Sequence, residues 1–405
     1  MHRRLEELPV SESNAMRAPE SSTPQRSLVI LMVAGEASGD AHGAELIHAI
    51  KEKQPKTRVI GVGGPRMAAA GQEQLLDLSA HAVLGLAEVL KQYFKFRRFR
   101  DQILDLARRE RPDAVVLIDC SGFNLRLAPS LRRDLPGARI IYYISPQVWA
   151  SRAGRVKAMQ RDLDLLLTIL PFEKNWFSKA APKFNVQWVG HPVLDRIRKV
   201  DVETPNPNFV ALLPGSRRTE VESHLPVLWD AAQIMSRNRP GLKFILLSPN
   251  EAIQKYSLQM LAKFAAPNFT FEYNVGYAIS HLSRCALALV ASGTASLECA
   301  LVGIPQIVVY RVHPLTYAVG RRVVKVKYLS IVNVMADEEI VPEFLQDKLE
   351  ASAVAQAGLE LLGNPQRRET MKRRVEEVVA TLGEPGASTR AAEAILVEAA
   401  LAKVG

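Results

Sequence analysis

Short runs of apolar, often β-branched residues alternate along the chain with longer stretches in which apolar positions recur at helical spacing. This alternation is typical of a parallel β-sheet covered by helices, so we predict an α/β fold. In the first half it predicts strands near 28–33, 58–62, 113–119, 138–144, 163–169 and 186–190. In the second half it predicts strands near 208–213, 242–247, 269–273, 286–291 and 305–310, followed by helices from about residue 350 to the end.

A proline-containing stretch at 201–208 divides the two halves, because Pro205 and Pro207 interrupt any regular element there. We expect two Rossmann-like domains, 27–200 and 208–405, the second of which carries the C-terminal helices. Residues 1–26 are polar and lack an apolar central stretch, so we expect a disordered tail rather than a signal or transit peptide. Met1 and Met16 are both candidate start positions.

Composition narrows the compartment and the class of ligand. The 405 residues include 52 Lys and Arg against 42 Asp and Glu, and a net charge of +10 suits phosphate-bearing ligands, nucleic acid or an anionic membrane. The three cysteines stand singly, without the spacing of a disulfide framework or a zinc site, which favours a reduced, cytosolic compartment. Every apolar run is shorter than the roughly 18 residues that a membrane-spanning helix needs.

The first candidate ligand loop follows the first strand. In open α/β sheets, ligands bind beyond the carboxyl ends of strands, where backbone N–H groups at helix N-termini meet anions. Residues 33–40 fit that description but lack the GxGxxG dinucleotide fingerprint, so a ligand loop and a simple turn capped by Ser38 or Asp40 are equally supported. The residues that this loop contributes to a predicted cleft are Gly35, Glu36, Ser38, Gly39 and Asp40.

Two further loops of this kind lie in the second half. In Gly215-Ser216-Arg217, an arginine stands at the start of a helix, where its charge opposes the helix dipole unless an anion lies between them. The other loop, which contains Ser292, Gly293 and Thr294, leads into a helix whose Glu298 is placed to accept hydrogen bonds from a ribose diol. A solvent-facing helix glutamate is the alternative for Glu298. Together the loops predict a nucleotide diphosphate in the second domain and an acceptor in the first.

Asp119 is the candidate general base. It ends an apolar strand, where a carboxylate would face the cleft between the domains, although an Asp that caps the next helix is equally consistent with the pattern. Asn124 follows it in the same loop and helix start. His42 and His191 are as consistent with packing or capping as with catalysis.

Residues 89–104 interleave five basic residues with four aromatic ones, namely Tyr93, Phe94, Phe96 and Phe99. This pattern favours a segment that inserts its rings among lipid tails while its cations meet phosphates, over a nucleic-acid face or a protein interface. A second short pattern, Asp162-Leu163-Asp164, matches the DxD metal motif of some sugar transferases. It lacks surrounding acids, so we interpret it as coincidence and expect no metal.

As a set, these segments resemble the lipid-A-disaccharide synthase family of inverting glycosyltransferases, from about Leu28 to at least residue 345. The matching segments are 35–40, 64–67, Gly85 with 88–90, 118–119 with 123–124, 145–146 with 148–150, 170–173, 190–191, 213–217, 291–294 with Glu298, and 310–311.

The resemblance implies a GT-B fold of two Rossmann-like domains that needs neither metal nor cofactor. It implies transfer from UDP-2,3-diacylglucosamine to 2,3-diacylglucosamine 1-phosphate in a β-1,6 linkage, with release of UDP. Asp119 matches the proposed general base of the family, and residues 89–104 match its membrane-contacting region. The positions that match residues assigned to UDP binding or activity are Arg217, Glu220, Glu298 and Asn333.

The resemblance further implies a peripheral protein on the cytoplasmic face of the inner membrane, with no nucleic-acid partner; a homodimer stays open. One departure lies at 120–122, Cys-Ser-Gly, where several members carry a Pro and a second Asp, so a role of that second carboxylate does not transfer. Two alternatives are a UDP-GlcNAc 2-epimerase-like enzyme, which leaves 89–104 unexplained, and a non-catalytic membrane-associated nucleotide-sugar-binding protein.

Overall fold

The computed structural model describes residues 27–77, 88–197, 204–264, 266–276, 279–314, 317, 324 and 326–402. The expected tail at 1–26 and the part of the expected domain boundary at 198–203 lie outside the described residues.

The first half forms a seven-stranded parallel sheet in the order β3-β2-β1-β4-β5-β6-β7. Its strands are β1 (Val29–Ala34), β2 (Arg58–Gly63), β3 (Glu73–Asp77), β4 (Ala114–Ile118), β5 (Arg139–Tyr143), β6 (Leu165–Thr168) and β7 (Val186–Trp188). The six strands predicted here are confirmed. The edge strand β3 was not predicted, because its sequence, Glu-Gln-Leu-Leu-Asp, lacks the apolar run of a strand covered on both faces.

Eight helices accompany this sheet in the described part of 27–197. They are α1 (Ala37–Lys53), α2 (Pro65–Ala69), α3 (Glu88–Glu110), α4 (Ser121–Asp134), α5 (Val148–Ser151), α6 (Val156–Asp162), α7 (Glu173–Ala180) and α8 (Val193–Ile197). A single 3-10 turn, Ala153–Arg155, joins α5 to α6.

The second half repeats the arrangement in a six-stranded parallel sheet of order β10-β9-β8-β11-β12-β13. Its strands are β8 (Asn206–Leu213), β9 (Lys243–Ser248), β10 (Thr270–Val275), β11 (Cys285–Ala291), β12 (Gln306–Tyr310) and β13 (Glu343–Leu345). Its helices are α9 (Arg218–Asn238), α10 (Glu251–Leu261), α11 (Ile279–Ser283), α12 (Thr294–Leu301), α13 (Ile331–Ala336), α14 (Ala351–Gly363), α15 (Pro365–Ala380) and α16 (Ala387–Leu401). The five strands predicted for this half are confirmed, and only the short β13 was not predicted.

The order of strands reverses at one place in each sheet, between β1 and β4 and between β8 and β11. At such a switch point the helices that follow the two central strands lie on opposite faces, which leaves a crevice beyond the strand ends. All recorded strand pairs in both sheets are parallel, so the carboxyl ends of the strands in each sheet gather at one edge. The loops after β1, β4, β8 and β11 are therefore the places where a site can form.

The last helix, α16, packs on the first domain, whereas the expected division at 208–405 placed it in the second. Buried residues of α16, among them Ala391 and Ile395, pack into the same core cluster as α1 and one face of the first sheet. The carboxylate of Asp195 on α8 accepts a hydrogen bond from the backbone N–H of Ser388 at 3.2 Å, and Arg390 donates to the carbonyl of Val189 at 2.8 Å. The chain thus returns to the first domain, which local helical periodicity could not indicate.

This packing predicts that Ile395→Ala destabilises the first domain. Ile395 is fully buried, and removal of a buried isoleucine side chain down to alanine costs about 2–5 kcal/mol. Hydrogen exchange should accelerate at the amides of β1 and β4 and stay unchanged at those of β8. Val397→Ala on the same helix, where the side chain is 62% exposed, is the matched control and should change little. Faster exchange in β8 rather than β1 would assign α16 to the second domain.

Candidate functional site

The backbone turns sharply where β4 ends. Asp119 and Cys120 both have positive φ angles, 47° and 44°, which is uncommon for residues other than glycine. The strand end is held by Asn124, whose amide nitrogen donates to the carbonyls of Ile118 at 3.0 Å and Asp119 at 2.9 Å, and by the hydroxyl of Tyr142, which donates to the carbonyl of Asp119. Asn124, expected in the acceptor cleft, is fully buried and supports this turn instead.

The turn presents the Asp119 carboxylate to the loop after β1. Ser38 on α1 donates its hydroxyl to Asp119 Oδ2 at 3.4 Å. Burial raises the pKa of Asp119, and the nearby charge of Glu36 raises it further, while His42 and the Ser38 hydrogen bond act in the opposite direction. A carboxylate whose pKa is raised is a stronger base once it is ionised, which suits general-base catalysis. Burial also raises the pKa of the neighbouring Cys120 thiol to about 11, so it stays protonated near neutral pH.

The other residues of the first loop serve two different purposes. Helix α1 begins at Ala37, so Ser38 and Asp40 lie in its first turn and neither is the N-cap that the sequence suggested. Asp40 is buried and accepts hydrogen bonds from the backbone N–H groups of Gly64 at 2.9 Å, Arg66 at 3.1 Å and Met67 at 2.9 Å. It therefore caps α2 and is not available to a ligand. A side chain at Gly39 would contact Ala34 at 3.4 Å, so this glycine allows α1 to pack close to β1.

His42 and His191, the two candidate histidines of the first domain, are both buried. His42 lies on α1 close enough to Asp119 to lower the pKa of that carboxyl. His191 accepts a hydrogen bond at Nδ1 from the backbone N–H of Val193 at 3.2 Å, where α8 begins. Of the two, only His42 is placed beside the candidate base.

In the second domain, Glu220 lies at the N-terminus of α9. Its carboxylate accepts hydrogen bonds from the backbone N–H of Ser216 at 2.7 Å and of Arg217 at 3.3 Å, the groups expected to meet an anion. Gly215 has φ 131°, and a Cβ there would lie 2.5 Å from the Cβ of Glu220, so the turn requires glycine. The loop thus binds a negative charge, and Glu220 of the same chain supplies it.

Arg217 joins the two domains. Its guanidinium donates to Glu36 Oε2 at 2.6 Å and lies 3.3 Å from Glu220 Oε1. The charges of Glu36, Glu220 and Asp119 raise the pKa of Arg217 in spite of its partial burial. Arg217 is therefore the group that faces the candidate base across the cleft.

The loop after β11 is built from small residues, as the sequence predicted. Ser292 donates its hydroxyl to the carbonyl of Leu329 at 2.9 Å, Gly293 has φ 148°, and Thr294 begins α12. Glu298, in the second turn of α12, is only 8% exposed, so it is not the solvent-facing glutamate that was the alternative. It contributes a buried carboxylate to the second switch point.

Asn333, matched to nucleotide binding through the resemblance, has a different place. It is fully buried on α13 and donates to the carbonyl of Val341 and to Glu343, each at 2.8 Å. Its side-chain oxygen accepts from the N–H groups of Ile340 at 2.9 Å and Val341 at 3.0 Å. All of its hydrogen-bonding capacity shapes the segment before β13, so direct contact with a nucleotide is not supported.

Sequence reasoning missed His224, which joins two of the loops. It is fully buried on α9; its Nδ1 lies 2.8 Å from the carbonyl of Pro214, and its Nε2 accepts from the backbone N–H of Arg311 at 2.9 Å. Because an N–H points at Nε2, the proton must lie on Nδ1 and the ring is neutral. Burial lowers the pKa of His224, in agreement with that assignment. No sequence motif marked this residue, since a histidine inside an amphipathic helix looks like any packed side chain.

A second missed residue, Glu173, lies under the domain contact. It accepts hydrogen bonds from the N–H groups of Ile169 at 3.2 Å and Leu170 at 3.0 Å, and from the indole of Trp149 at 3.0 Å. Burial raises its pKa to about 7. Leu170 belongs to the core of the second domain, and Phe172 and Trp149 pack on it. The segments 145–150 and 170–173, noted in the sequence only as matches to a family, thus carry the contact between the domains.

The described residues contain no group of three or more His, Cys, Asp or Glu side chains arranged to hold a metal ion. The DxD residues precede β6, at the edge of the sheet opposite the cleft. Asp162 pairs with Arg161 at 2.7 Å, and Asp164 with Arg132 at 2.5 Å. Both carboxylates are thus used by arginines far from the candidate base.

Comparison with known proteins identifies relatives of this chain. The family model described as lipid-A-disaccharide synthetase matches residues 30–397. The lipid-A-disaccharide synthase of Myxococcus xanthus is 37% identical over 377 residues, which is 91% of this chain and 96% of that protein. Lipid-A-disaccharide synthase 1 of Legionella pneumophila (strain Lens) is 36% identical over 86% of this chain and 91% of its own length.

Solved structures share the fold at much lower identity. The calicheamicin glycosyltransferase CalG4 is 14% identical with a TM-score of 0.57, over 92% of this chain and 99% of its own. UDP-GlcNAc 2-epimerase from Neisseria meningitidis, solved with UDP-GlcNAc, is 13% identical with a TM-score of 0.61, over the same shares of the two chains. MurG of Acinetobacter baumannii is 14% identical with a TM-score of 0.51, again over 92% and 99%. These likenesses confirm the expected GT-B fold.

The neutral state of His224 predicts a pH dependence of stability. Its pKa is lowered in the folded protein, so the unfolded chain takes up the proton first as the pH falls, and the free energy of unfolding decreases from about pH 7 towards pH 5. His224→Gln, which can still accept from Arg311 and donate to Pro214 but cannot titrate, should lose part of that dependence. Urea unfolding at a series of pH values measures it. An unchanged slope in the variant would contradict the neutral assignment.

Proposed function

This chain belongs to the lipid-A-disaccharide synthetase family, and on that premise we propose that it transfers a diacylglucosamine unit from UDP-2,3-diacylglucosamine to 2,3-diacylglucosamine 1-phosphate. The product is the β-1,6 disaccharide 1-phosphate of lipid A biosynthesis, and UDP leaves. The observation that carries the proposal is the position of Asp119, a half-buried carboxylate that faces the anion-binding loop of the other domain.

The donor is proposed to bind the second domain. Its diphosphate would replace the Glu220 carboxylate as the acceptor of hydrogen bonds from the N–H groups of Ser216 and Arg217. The same diphosphate would replace Glu36 as the partner of the Arg217 guanidinium. Both exchanges substitute one anion for another, so they leave no buried charge uncompensated. The buried Glu298, next to Ser292, Gly293 and Thr294, is placed for the ribose. Arg217 would then stabilise the negative charge that develops on UDP as it departs.

Asp119 is proposed to remove the proton from the acceptor's 6-hydroxyl as the oxygen attacks the anomeric carbon. The C6 oxygen forms the new glycosidic bond, the bond to the UDP oxygen breaks, and the proton goes to the carboxylate. Attack from the first domain on a donor held by the second puts the leaving group on the opposite face, which inverts the anomeric configuration. Ser38 orients the carboxylate through its hydrogen bond, and His42 lies beside it.

An epimerase activity is not favoured. The likeness to UDP-GlcNAc 2-epimerase is one of fold at 13% identity, whereas the curated synthases are about 36% identical over most of both chains. The base also lies on the domain opposite the arginine loop, where a separate acceptor molecule would enter.

We propose in addition that the first three turns of α3 meet the cytoplasmic face of the inner membrane. Tyr93, Phe94 and Phe96 lie in this part of the helix, of which the structure describes the backbone only. Phe99 is different, because its side chain is half-buried and packs against the core of the first domain. In the described ranges no helix has the length and apolar content to span a bilayer.

The activity is tested by measuring UDP release from the donor with and without the phosphorylated acceptor. Wild type should release UDP only with the acceptor, and Asp119→Asn, which keeps the shape of the side chain, should lose about 10²- to 10⁴-fold in kcat. Asp230→Asn, an equal change of charge at an exposed position of α9, is the matched control. Conversion of the donor without acceptor would indicate an epimerase, and near-normal turnover by Asp119→Asn would remove Asp119 from the role of base.

Membrane contact is tested with vesicles that contain anionic lipid. A combined Tyr93→Ser, Phe94→Ser and Phe96→Ser variant should float poorly with such vesicles, and binding of the wild type should weaken as salt rises because exposed charges are screened. Tyr273→Ser, at a 51% exposed aromatic position of β10, controls for loss of an aromatic surface residue. Flotation of the folded triple variant at the wild-type level would contradict the proposal.

A further inference from the structure

Three arginines lie on the segments that follow β4 and β5, at the edge of the first sheet that carries Asp119. Arg126 lies on α4, Arg152 directly precedes the 3-10 turn that follows α5, and Arg155 is the last residue of that turn; we refer to the three as the arginine cluster. Because β4 and β5 are neighbouring parallel strands, α4 and the segment after β5 leave the sheet at the same edge. The helix α6, which begins directly after Arg155, packs against α4 and brings the two segments together.

Within the described ranges, the arginine cluster is not paired with a carboxylate. Other arginines near these elements are paired with carboxylates: Arg132 with Asp164, Arg133 with Asp134 and Arg161 with Asp162. No carboxylate in the described part of the chain forms an ion pair with Arg126, Arg152 or Arg155. Partial burial, together with the positive charges of Arg152 and Arg126, lowers the pKa of Arg155. Like charges held together in this way are stabilised when an anion binds between them.

The position of the cluster relative to the base identifies the anion. Asp119 and Cys120 lead directly into α4, and Arg126 lies five residues after Ser121, about 7.5 Å along the helix axis. The acceptor in the proposed reaction carries its attacking hydroxyl on C6, which is attached to C5, and its phosphate on C1, so the two groups stand on the two ring carbons that flank the ring oxygen. An anion site within a sugar's reach of Asp119, and on the same domain, is what this acceptor requires.

We propose that the arginine cluster binds the 1-phosphate of the acceptor and thereby directs the 6-hydroxyl towards Asp119. This inference rests on the proposed function. Guanidinium groups suit the role because each offers a planar pair of N–H donors to phosphate oxygens. A membrane phospholipid offers similar chemistry, and α4 packs against α3, the helix proposed to meet the membrane. We assign the site to the acceptor because the cluster lies beside the strand end that bears the base.

The test compares two acceptors in neutral detergent micelles, 2,3-diacylglucosamine 1-phosphate and the same compound without its phosphate. Arg126→Gln, Arg152→Gln and Arg155→Gln should each raise the KM for the phosphorylated acceptor about tenfold or more, as loss of a charge-assisted hydrogen bond does. The donor KM should stay close to wild type. The KM for the acceptor without phosphate should not change. Soluble glucosamine 1-phosphate should inhibit these variants less strongly than the wild type. This measurement does not require turnover of the acceptor that lacks phosphate.

Arg133→Gln is the matched control, because it removes the same charge from an exposed position of the same helix. Equal rises in KM for both acceptors would overturn the assignment to phosphate. Loss of binding to anionic vesicles with an unchanged acceptor KM would assign the cluster to a lipid headgroup and also overturn it. Both of these results concern the variants and leave the proposed function standing. Failure of the wild type to release UDP with the phosphorylated acceptor would overturn the proposed function itself.

Discussion

The parallel direction of the strands is the constraint on which the site depends. It forces a crossover between neighbouring strands, places helices on both faces and collects the strand ends of each sheet at one edge. In both sheets the strand order reverses next to the first strand of the half, so each crevice opens at the loops that hold the polar residues. Asp119 at one crevice and Arg217 at the other then face each other without any long-range motif to align them.

Apolar contacts, rather than the ion pair across the cleft, hold the domains in this relation. Leu170 and Val193 of the first domain are buried in the core of the second, and Trp149 and Phe172 of the first domain, whose ring centroids lie 4.9 Å apart, pack against that core. The return of α16 to the first sheet adds a second connection. The Arg217–Glu36 pair is about half exposed, and such pairs contribute roughly 0–1 kcal/mol. Separating the pair therefore costs little free energy, so Arg217 can leave Glu36 and bind a diphosphate.

The polar residues of the site divide into two groups according to their burial. Glu220 and Glu36 both pair with Arg217 at positions that are at least partly exposed, where a ligand can compete. Asp40, Asn124 and Asn333 are buried with their hydrogen bonds directed at backbone groups, so they form the loops rather than bind ligand. The arginine cluster is the exception, because its charges are not balanced by carboxylates in the described part of the chain.

The sequence by itself determined the fold class, eleven of the thirteen strands that the described residues form and the loops at which a site could form, because apolar periodicity and turn residues are local signals. It did not determine what each polar residue in those loops does. It left Asp40 open between a ligand loop and a capped turn, and Asn333 was matched to nucleotide binding only through the family resemblance. The structure directs both side chains at backbone N–H groups, those of α2 and of the segment before β13. His224, Glu173 and the return of α16 depend on contacts between residues far apart in the chain. Such contacts leave no periodic trace, so only the tertiary structure decided them.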